Sequence, residues 1–337
     1  MQKLELILES RRDAVRAALQ TTFGRCAVDR FDPIKGGVSG AQILRFDVRE
    51  RTYVLRIEPE RIALHHRQRG YECMVAAATA GAAPDVRYSD PADGVAIMDF
   101  IFGRPLSAHP DGPVGMVRAL GALIARVQAT PPFPSVGSYP DVIEDLLASL
   151  CKSELLTPGQ LNPHAEGLSR IRAALPWETS ALVSCHNDPN PRNILFDGKR
   201  ALLVDWECAF RNDPLVDIAI LTTELAETPE LQSALLEVTF GSSPNDLTRA
   251  RLVVIRLLTR LFYGCIVLDS LAGSAIRPDA GLAAFTPTSF RAAVAEGRLK
   301  SSTPETAYAF AMMSLAAFID GLTQPAIDEA LKLLERG

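Results

Sequence analysis

The feature that most constrains this chain is where its two periodicities fall. Alternation of apolar and polar residues fills the first hundred positions. AQILRFDVRE (41–50) and TYVLRIEP (52–59) alternate and are rich in Val, Ile, Phe and Tyr, as half-buried strands are. CAVDRFDPI (26–34) reads the same way, and DVRYSDPADGVAIMDF (85–100) reads as two more strands joined by a turn of Pro, Asp and Gly. Helical spacing appears here only at 5–20 and at 62–80, the latter ending at Gly81. After FIFGRP (100–105) the pattern changes. Helices are predicted at 113–129, 140–152, 164–174, 214–227, 229–239, 245–271, 286–297, 303–321 and 324–336. Three short apolar runs interrupt them as strands: SALVSC, NILFD and RALLVD, between 180 and 205. The fold class is therefore α+β. A small sheet lobe over 1–102 is joined by a hinge to a large helical lobe over 103–337, and clefts between two such lobes favour ligands.

Composition narrows the class further. With 47% apolar residues the 337-residue chain can bury a sizeable core. The net charge is −5 and no basic run stands out, which argues against nucleic acid as a partner. The N-terminal helix lacks the apolar stretch of a signal peptide. RLVVIRLLTRLFYGCIVL (251–268) carries Arg256 and Arg260 at its centre, so it reads as a buried helix and not as a membrane span. The six cysteines form no CxxC and no metal-ligand spacing, which fits a reducing, cytoplasmic setting.

Residues 185–196, CHNDPNPRNILF, carry the chemistry. Pro189 and Pro191 forbid a regular helix or a central strand, so the stretch is a stiff polar loop. LLVDWECAF (202–210) answers it. A loop and a short hairpin can bring Asn193 and Asp205 to one spot, offering hard oxygen ligands of the kind Mg²⁺ takes. Asp188 is then left to accept a proton from a hydroxyl, a division of labour suited to phosphoryl transfer. Taken singly, an Asn or Asp in such a loop is more often the former of an Asx turn.

The pair of phrases H-x-D-x-x-x-x-N and apolar-apolar-D resembles the kinase-like phosphotransferases of small molecules: choline and ethanolamine kinases, thiamine kinases and aminoglycoside phosphotransferases. The form HND with DWE leans toward the choline and thiamine kinase branch. The resemblance implies a two-lobed protein-kinase-like fold. It makes Asp188 the catalytic base, Asn193 and Asp205 the Mg²⁺ ligands, His186 a prop of the loop, and Asp217 a brace for the loop's backbone.

In the small lobe, KGGVSG matches that family's glycine turn, so Gly36, Gly37, Ser39 and Gly40 would lie over the phosphates of ATP, or of GTP. Read alone, the same turn is an ordinary hairpin. By the resemblance, Arg56 is the cation of the third strand that holds the phosphates, with Glu72 on the next helix as its partner. Glu58 and Glu60 are the rivals, Glu58 sharing a strand face with Arg56 but lying close to the strand end. Met98, Asp99 and Ile101 of the hinge would meet the adenine. The acceptor is a small-molecule alcohol, for which Glu207, Tyr263 and Asp269 are candidate contacts, although no aromatic cage of the kind choline favours is visible. An aminoglycoside kinase is the alternative and predicts a carboxylate-rich pocket. A catalytically dead scaffold predicts loss of Asp188, Asn193 or Asp205, and all three are present.

Overall fold

The computed structural model describes residues 4–25, 28, 30–34, 40–60, 62–153, 155–175, 177, 181–272, 285–300 and 303–336. In chain order its first elements are α1 (Arg12–Phe23), β1 (Phe31–Pro33), β2 (Gln42–Val48), β3 (Arg51–Ile57), α2 (Leu64–Thr79), β4 (Val86–Asp90), β5 (Val95–Asp99) and α3 (Gly112–Gln128). Then come α4 (Tyr139–Ser153), α5 (Pro158–Ala174), β6 (Val183–Cys185), β7 (Ile194–Phe196), β8 (Ala201–Leu203), β9 (Phe210–Asn212) and α6 (Leu215–Glu224). The last are α7 (Pro229–Phe240), α8 (Asp246–Ser270), α9 (Pro287–Ala295), α10 (Pro304–Leu322) and α11 (Pro325–Leu334). The chain divides into two compact units, one of Met1–Pro134, Val183–Arg211 and Glu224–Gly241, the other of Ser135–Leu182, Asn212–Thr223 and Ser242–Gly337.

The first unit is built on a five-stranded antiparallel sheet in the order β1-β2-β3-β5-β4. Alternation sets its faces. Leu44, Phe46 and Val48 of β2 and Tyr53, Leu55 and Ile57 of β3 join Val95 and Ile97 in a core closed by Val15, Ala18 and Leu19 of α1. Each such side chain, fully buried, contributes about 1.5–3 kcal/mol. Arg56 pairs with Ala96 across the sheet and turns away from this core, because its neighbours Leu55 and Ile57 point into it. A one-residue slip of β3 would bury Arg56 in the core, so the hydrophobic pattern also fixes the functional face. Elsewhere in the unit, β7 pairs with β8 and β6 with β9, and α3 packs on α7. That packing needs Gly121: a Cβ there would lie 2.9 Å from the Leu235 carbonyl oxygen.

The second unit is helical, with the 25-residue α8 flanked by α4, α10 and α11. Four helices of the chain begin with Thr-Pro. Thr157, Thr228, Thr286 and Thr303 each cap their helix by accepting an N–H from the third residue inside it, and a proline fills the first helical position. There its missing N–H costs nothing and its fixed φ suits the helix. This signal corrects the predicted start of α5. The helix begins at Pro158 and not at 164, held by a capping box between Thr157 and Gln160, and runs through Pro163. Strand β9 was not predicted; three residues are too few to show alternation. Among the described residues no single helix is long and apolar enough to cross a membrane.

Candidate active site

Every side chain of the candidate site, Asp217, Tyr263 and Asp269 apart, belongs to the first unit. The loop after β6 is locked by its own polar groups. His186 is fully buried. Its Nδ1 accepts the Asp188 backbone N–H at 3.3 Å, so Nε2 carries the proton and donates to the Val204 carbonyl at 3.0 Å. Burial pushes the imidazole down to about 4, outweighing the pull of the Val204 carbonyl and of Asp205, so the ring is neutral. Its edge meets Trp206 at 4.6 Å between centroids. The next residue, Asn187, takes φ 63°, a left-handed conformation that Asn tolerates better than most. Its amide donates to the carbonyls of Cys208 at 3.0 Å and Phe210 at 3.2 Å. The two phrases read from sequence are thus tied together by His186 and Asn187.

Asp188 sits half-buried beyond this clamp, with an amide on each oxygen. Asn190 Nδ2 donates to Oδ1 at 2.7 Å and Asn193 Nδ2 to Oδ2 at 2.9 Å. Asn190 is itself held: its Oδ1 accepts the Arg192 N–H at 2.9 Å, an Asx turn that opens the one-turn helix Pro191–Asn193. Arg192 is exposed, as a solvated charge would be.

Asp205 follows β8 with φ 69° and ψ 69°, again left-handed. Its Oδ1 is buried and lacks a hydrogen-bond donor among the described residues, although Arg56 Nη2 lies 3.1 Å away as an ion pair. A buried carboxylate oxygen whose one near neighbour is a cationic side chain has room to accept a bound cation as well. Asn193 gives its nitrogen to Asp188, so Oδ1 is the atom with which it could ligate one. The donor set therefore fits Mg²⁺, which needs only one or two protein oxygens beside phosphate and water. Among the described residues no group of three or more His, Cys, Asp or Glu is arranged to hold a metal.

Arg56 stands at the centre of the charge. Nε donates to Glu58 Oε1 at 2.6 Å, and Nη2 faces Asp205 at 3.1 Å and Glu207 at 3.8 Å. Burial alone would lower its pKa; the carboxylates of Asp205, Glu58 and Glu207 outweigh that and raise it. Loss of hydration first, then Asp205, Glu58 and Asp188, push Glu207 up to about 7 against the pull of Arg56. The structure corrects the expected partner of Arg56: it is Glu58, while Glu72 is exposed. Helix α2 turns residues 69, 70 and 73 toward the Trp206–Ala209 backbone, which swings Glu72 to another face. Arg69 donates to the Glu207 carbonyl at 2.7 Å, and the Cys73 thiol approaches the Ala209 carbonyl at 3.7 Å.

Gly36, Gly37 and Ser39 of the expected phosphate turn lie outside the described residues; Gly40 is described, with φ 78°. In the hinge, the N–H groups of Asp99 and Phe100 are taken by the carbonyls of Asp85 at 2.9 Å and Thr52 at 3.1 Å. Among the described residues the Ile101 N–H has no backbone acceptor. Met98 is half-buried at the end of β5, and the Asp99 carboxylate is paired with Arg87. In the second unit, Asp217 is fully buried in the first turn of α6. Asp269 accepts from Ser149 at 2.6 Å, and Tyr263 packs on Phe262 and Phe310. Six residues apart on α8, about 240° around the helix, Tyr263 and Asp269 do not share a face.

Asn187, Asn190 and Glu58 were missed as site residues. For Glu58 the signal was present, since alternation places it on the face of Arg56. For Asn190 it was the Asx-turn reading of a proline-flanked Asn.

Residues 30–253 match the model of the phosphotransferase enzyme family, and the chain belongs to that family. The fold is that of a choline/ethanolamine kinase family protein from Mesorhizobium loti, with a TM-score of 0.70 at 23% identity, covering 97% of this chain and 100% of that one. Choline kinase LicA from Streptococcus pneumoniae aligns with a TM-score of 0.62 at 14% identity over 91% of this chain and 99% of its own. The APH(2")-IIa gentamicin complex aligns at 0.56 and 14% over 76% of this chain and 90% of that one. Protein LicA of Haemophilus influenzae is 43% identical over 56 residues, 17% of this chain and 21% of its own length. The chain spans about a fifth of the length of the curated relatives it matches.

Proposed function

We propose that this chain is a Mg²⁺- and ATP-dependent kinase of a small amino alcohol of the choline or ethanolamine kind. The observation that carries the reading is the pairing of Asp188, with both oxygens aligned by Asn190 and Asn193, and Asp205, whose buried Oδ1 is ion-paired to Arg56 and takes no hydrogen bond among the described residues. One carboxylate is oriented for a proton and the other for a cation. The shared fold and the LicA segment support the acceptor class.

The acceptor oxygen forms a bond to the γ-phosphorus as the bridging oxygen leaves with ADP, and the hydroxyl proton passes to Asp188. Asn190 and Asn193 hold the carboxylate so that one lone pair faces the incoming hydroxyl. Arg56 offers its guanidinium to the phosphates, and the neutral His186 keeps the loop in shape. When bound, Mg²⁺ neutralises charge on the transferring phosphate, with Asn193 and Asp205 as its protein ligands.

The test is a coupled ADP-release assay with MgATP and a panel of choline, ethanolamine, thiamine, amino sugars and aminoglycosides. Stimulation by choline or ethanolamine, reduced by a factor of about 10³ or more in Asp188→Ala, is the expected result. Stimulation by aminoglycosides alone would move the acceptor to the antibiotic branch. No binding of MgATP would sink the kinase reading.

A further inference from the structure

We infer that Glu58, on the same strand run as Arg56, positions the phosphate-binding cation of this chain, and that helix α2 serves the metal turn instead. The inference deepens the kinase reading and rests on it. Glu58 is a buried carboxylate, 7% exposed, whose Oε1 takes the Arg56 Nε–H at 2.6 Å. Its backbone is fixed too: the Glu58 N–H donates to the Gly94 carbonyl at 2.8 Å, which continues the β3–β5 pairing one residue beyond the strand. A spacing of two on extended chain puts both side chains on one face. The pair therefore needs no second element to form.

Helix α2 has different contacts. Arg69 Nη2 donates to the Glu207 carbonyl at 2.7 Å, and Gly70 packs against the turn, where a Cβ would lie in ordinary contact with the Trp206 carbonyl oxygen at 3.5 Å. Its acidic residue, Glu72, is exposed. The labour is thus divided: β3 carries both the cation and its counter-charge, while α2 steadies the turn that presents Asp205. A shift of α2 would disturb the metal ligand and leave the Arg56–Glu58 pair standing.

Glu58 also decides how far Arg56 leans toward the metal ligand. With Nε held, only Nη2 faces Asp205, at 3.1 Å, and Glu207, at 3.8 Å. Without Glu58 the guanidinium has those two carboxylates left and settles on them, where it competes with the cation. The loss should therefore appear in nucleotide affinity and in the Mg²⁺ requirement together.

Calorimetry with MgATP and steady-state kinetics over a Mg²⁺ series, on wild type, Glu58→Ala, Glu58→Gln and Glu72→Gln, test this. Glu58→Ala is expected to weaken MgATP about tenfold or more, the usual loss for a hydrogen bond between charged groups, and to raise the Mg²⁺ concentration for half activity, with kcat at saturation retained. Glu58→Gln keeps the shape and an acceptor oxygen. It should show the same split at severalfold size even if the alanine variant folds poorly. Glu72→Gln should bind as wild type does. Wild-type affinity in both Glu58 variants, or an equal loss in Glu72→Gln, overturns the inference while the kinase reading stands. A wild type that fails to bind MgATP overturns both.

Discussion

Replacing Asn190 by alanine isolates one contact that aims the candidate base. Two hydrogen bonds go with it: Nδ2 to Asp188 Oδ1 at 2.7 Å, and the Arg192 N–H to its own Oδ1 at 2.9 Å. The first has a charged acceptor and would be worth about 1.5–3 kcal/mol when shielded; the second about 0.5–1.5 kcal/mol. Asp188 is only half-buried, so water replaces part of the first, and Asn193 still holds Oδ2 at 2.9 Å. The low end applies: about 1.5 kcal/mol of misalignment at the transition state, or roughly a tenfold fall in kcat. On the proposed reading the phosphates lie with Arg56, so KM for ATP should hold. Asn190→Asp should be worse than alanine, because it sets a second negative charge against Asp188. Steady-state kinetics with the best acceptor, with ATP and acceptor varied separately, measures both. A kcat within twofold of wild type, or a loss carried by KM for ATP, would refute the idea that Asn190 aims the base.

Two further predictions concern stability. The imidazole of His186 is buried and held at about 4 against an ordinary 6.5, so the folded state favours the neutral form. Its stabilising contribution is complete above 6.5 and is lost as the pH falls from 6.5 to 4. The full span amounts to about 3 kcal/mol. Urea midpoints across that window should fall less steeply for His186→Gln than for wild type, and parallel slopes would contradict the assignment. In the second unit, Asp213 is buried to 1% and takes Arg251 Nε at 2.6 Å and Nη2 at 2.5 Å, with the guanidinium 5.6 Å over the Trp177 ring. Arg251→Ala should cost about 3–5 kcal/mol in chemical denaturation and recover in part with Asp213→Asn added; a loss below about 1 kcal/mol would place the pair among surface bridges.

What could be read from the sequence was whatever a period or a fixed offset encodes. Alternation in QILRFDV and RTYVLRI put the core on one face of the sheet and Arg56 on the other. The prolines after Asp188 gave a stiff loop, and the offset of twelve from Asn193 to Asp205 spans the β7–β8 hairpin, in which Ile194 pairs with Leu203. What could not be read depends on the rotation of one element against another. Choosing Glu72 over Glu58 assumed that α2 turns its acidic residue toward β3, and the mostly polar first half of α2, LHHRQRGYE, shows no apolar stripe to fix that rotation. Strand β9 is set by its pairing with β6 and not by its own three residues. On α8, residue type alone points to Tyr263 and Asp269 as acceptor contacts, and helical spacing separates them.

Asp205 bends its backbone to φ 69° in order to present its carboxylate, a conformation worth about 1 kcal/mol against an L-residue. Glycine would sit there without strain, and asparagine nearly so, each at the cost of the ion pair with the buried Arg56. Once that cation is gone, backbone strain alone favours their replacing Asp205. A descendant of this chain relieved of catalysis and without Arg56 should carry Gly or Asn at 205 before it loses Asp188, whose carboxylate two amides satisfy and which costs the fold little to keep. On the proposed reading, an Asp at 205 is thus the better sign that a relative is still under selection to bind a cation.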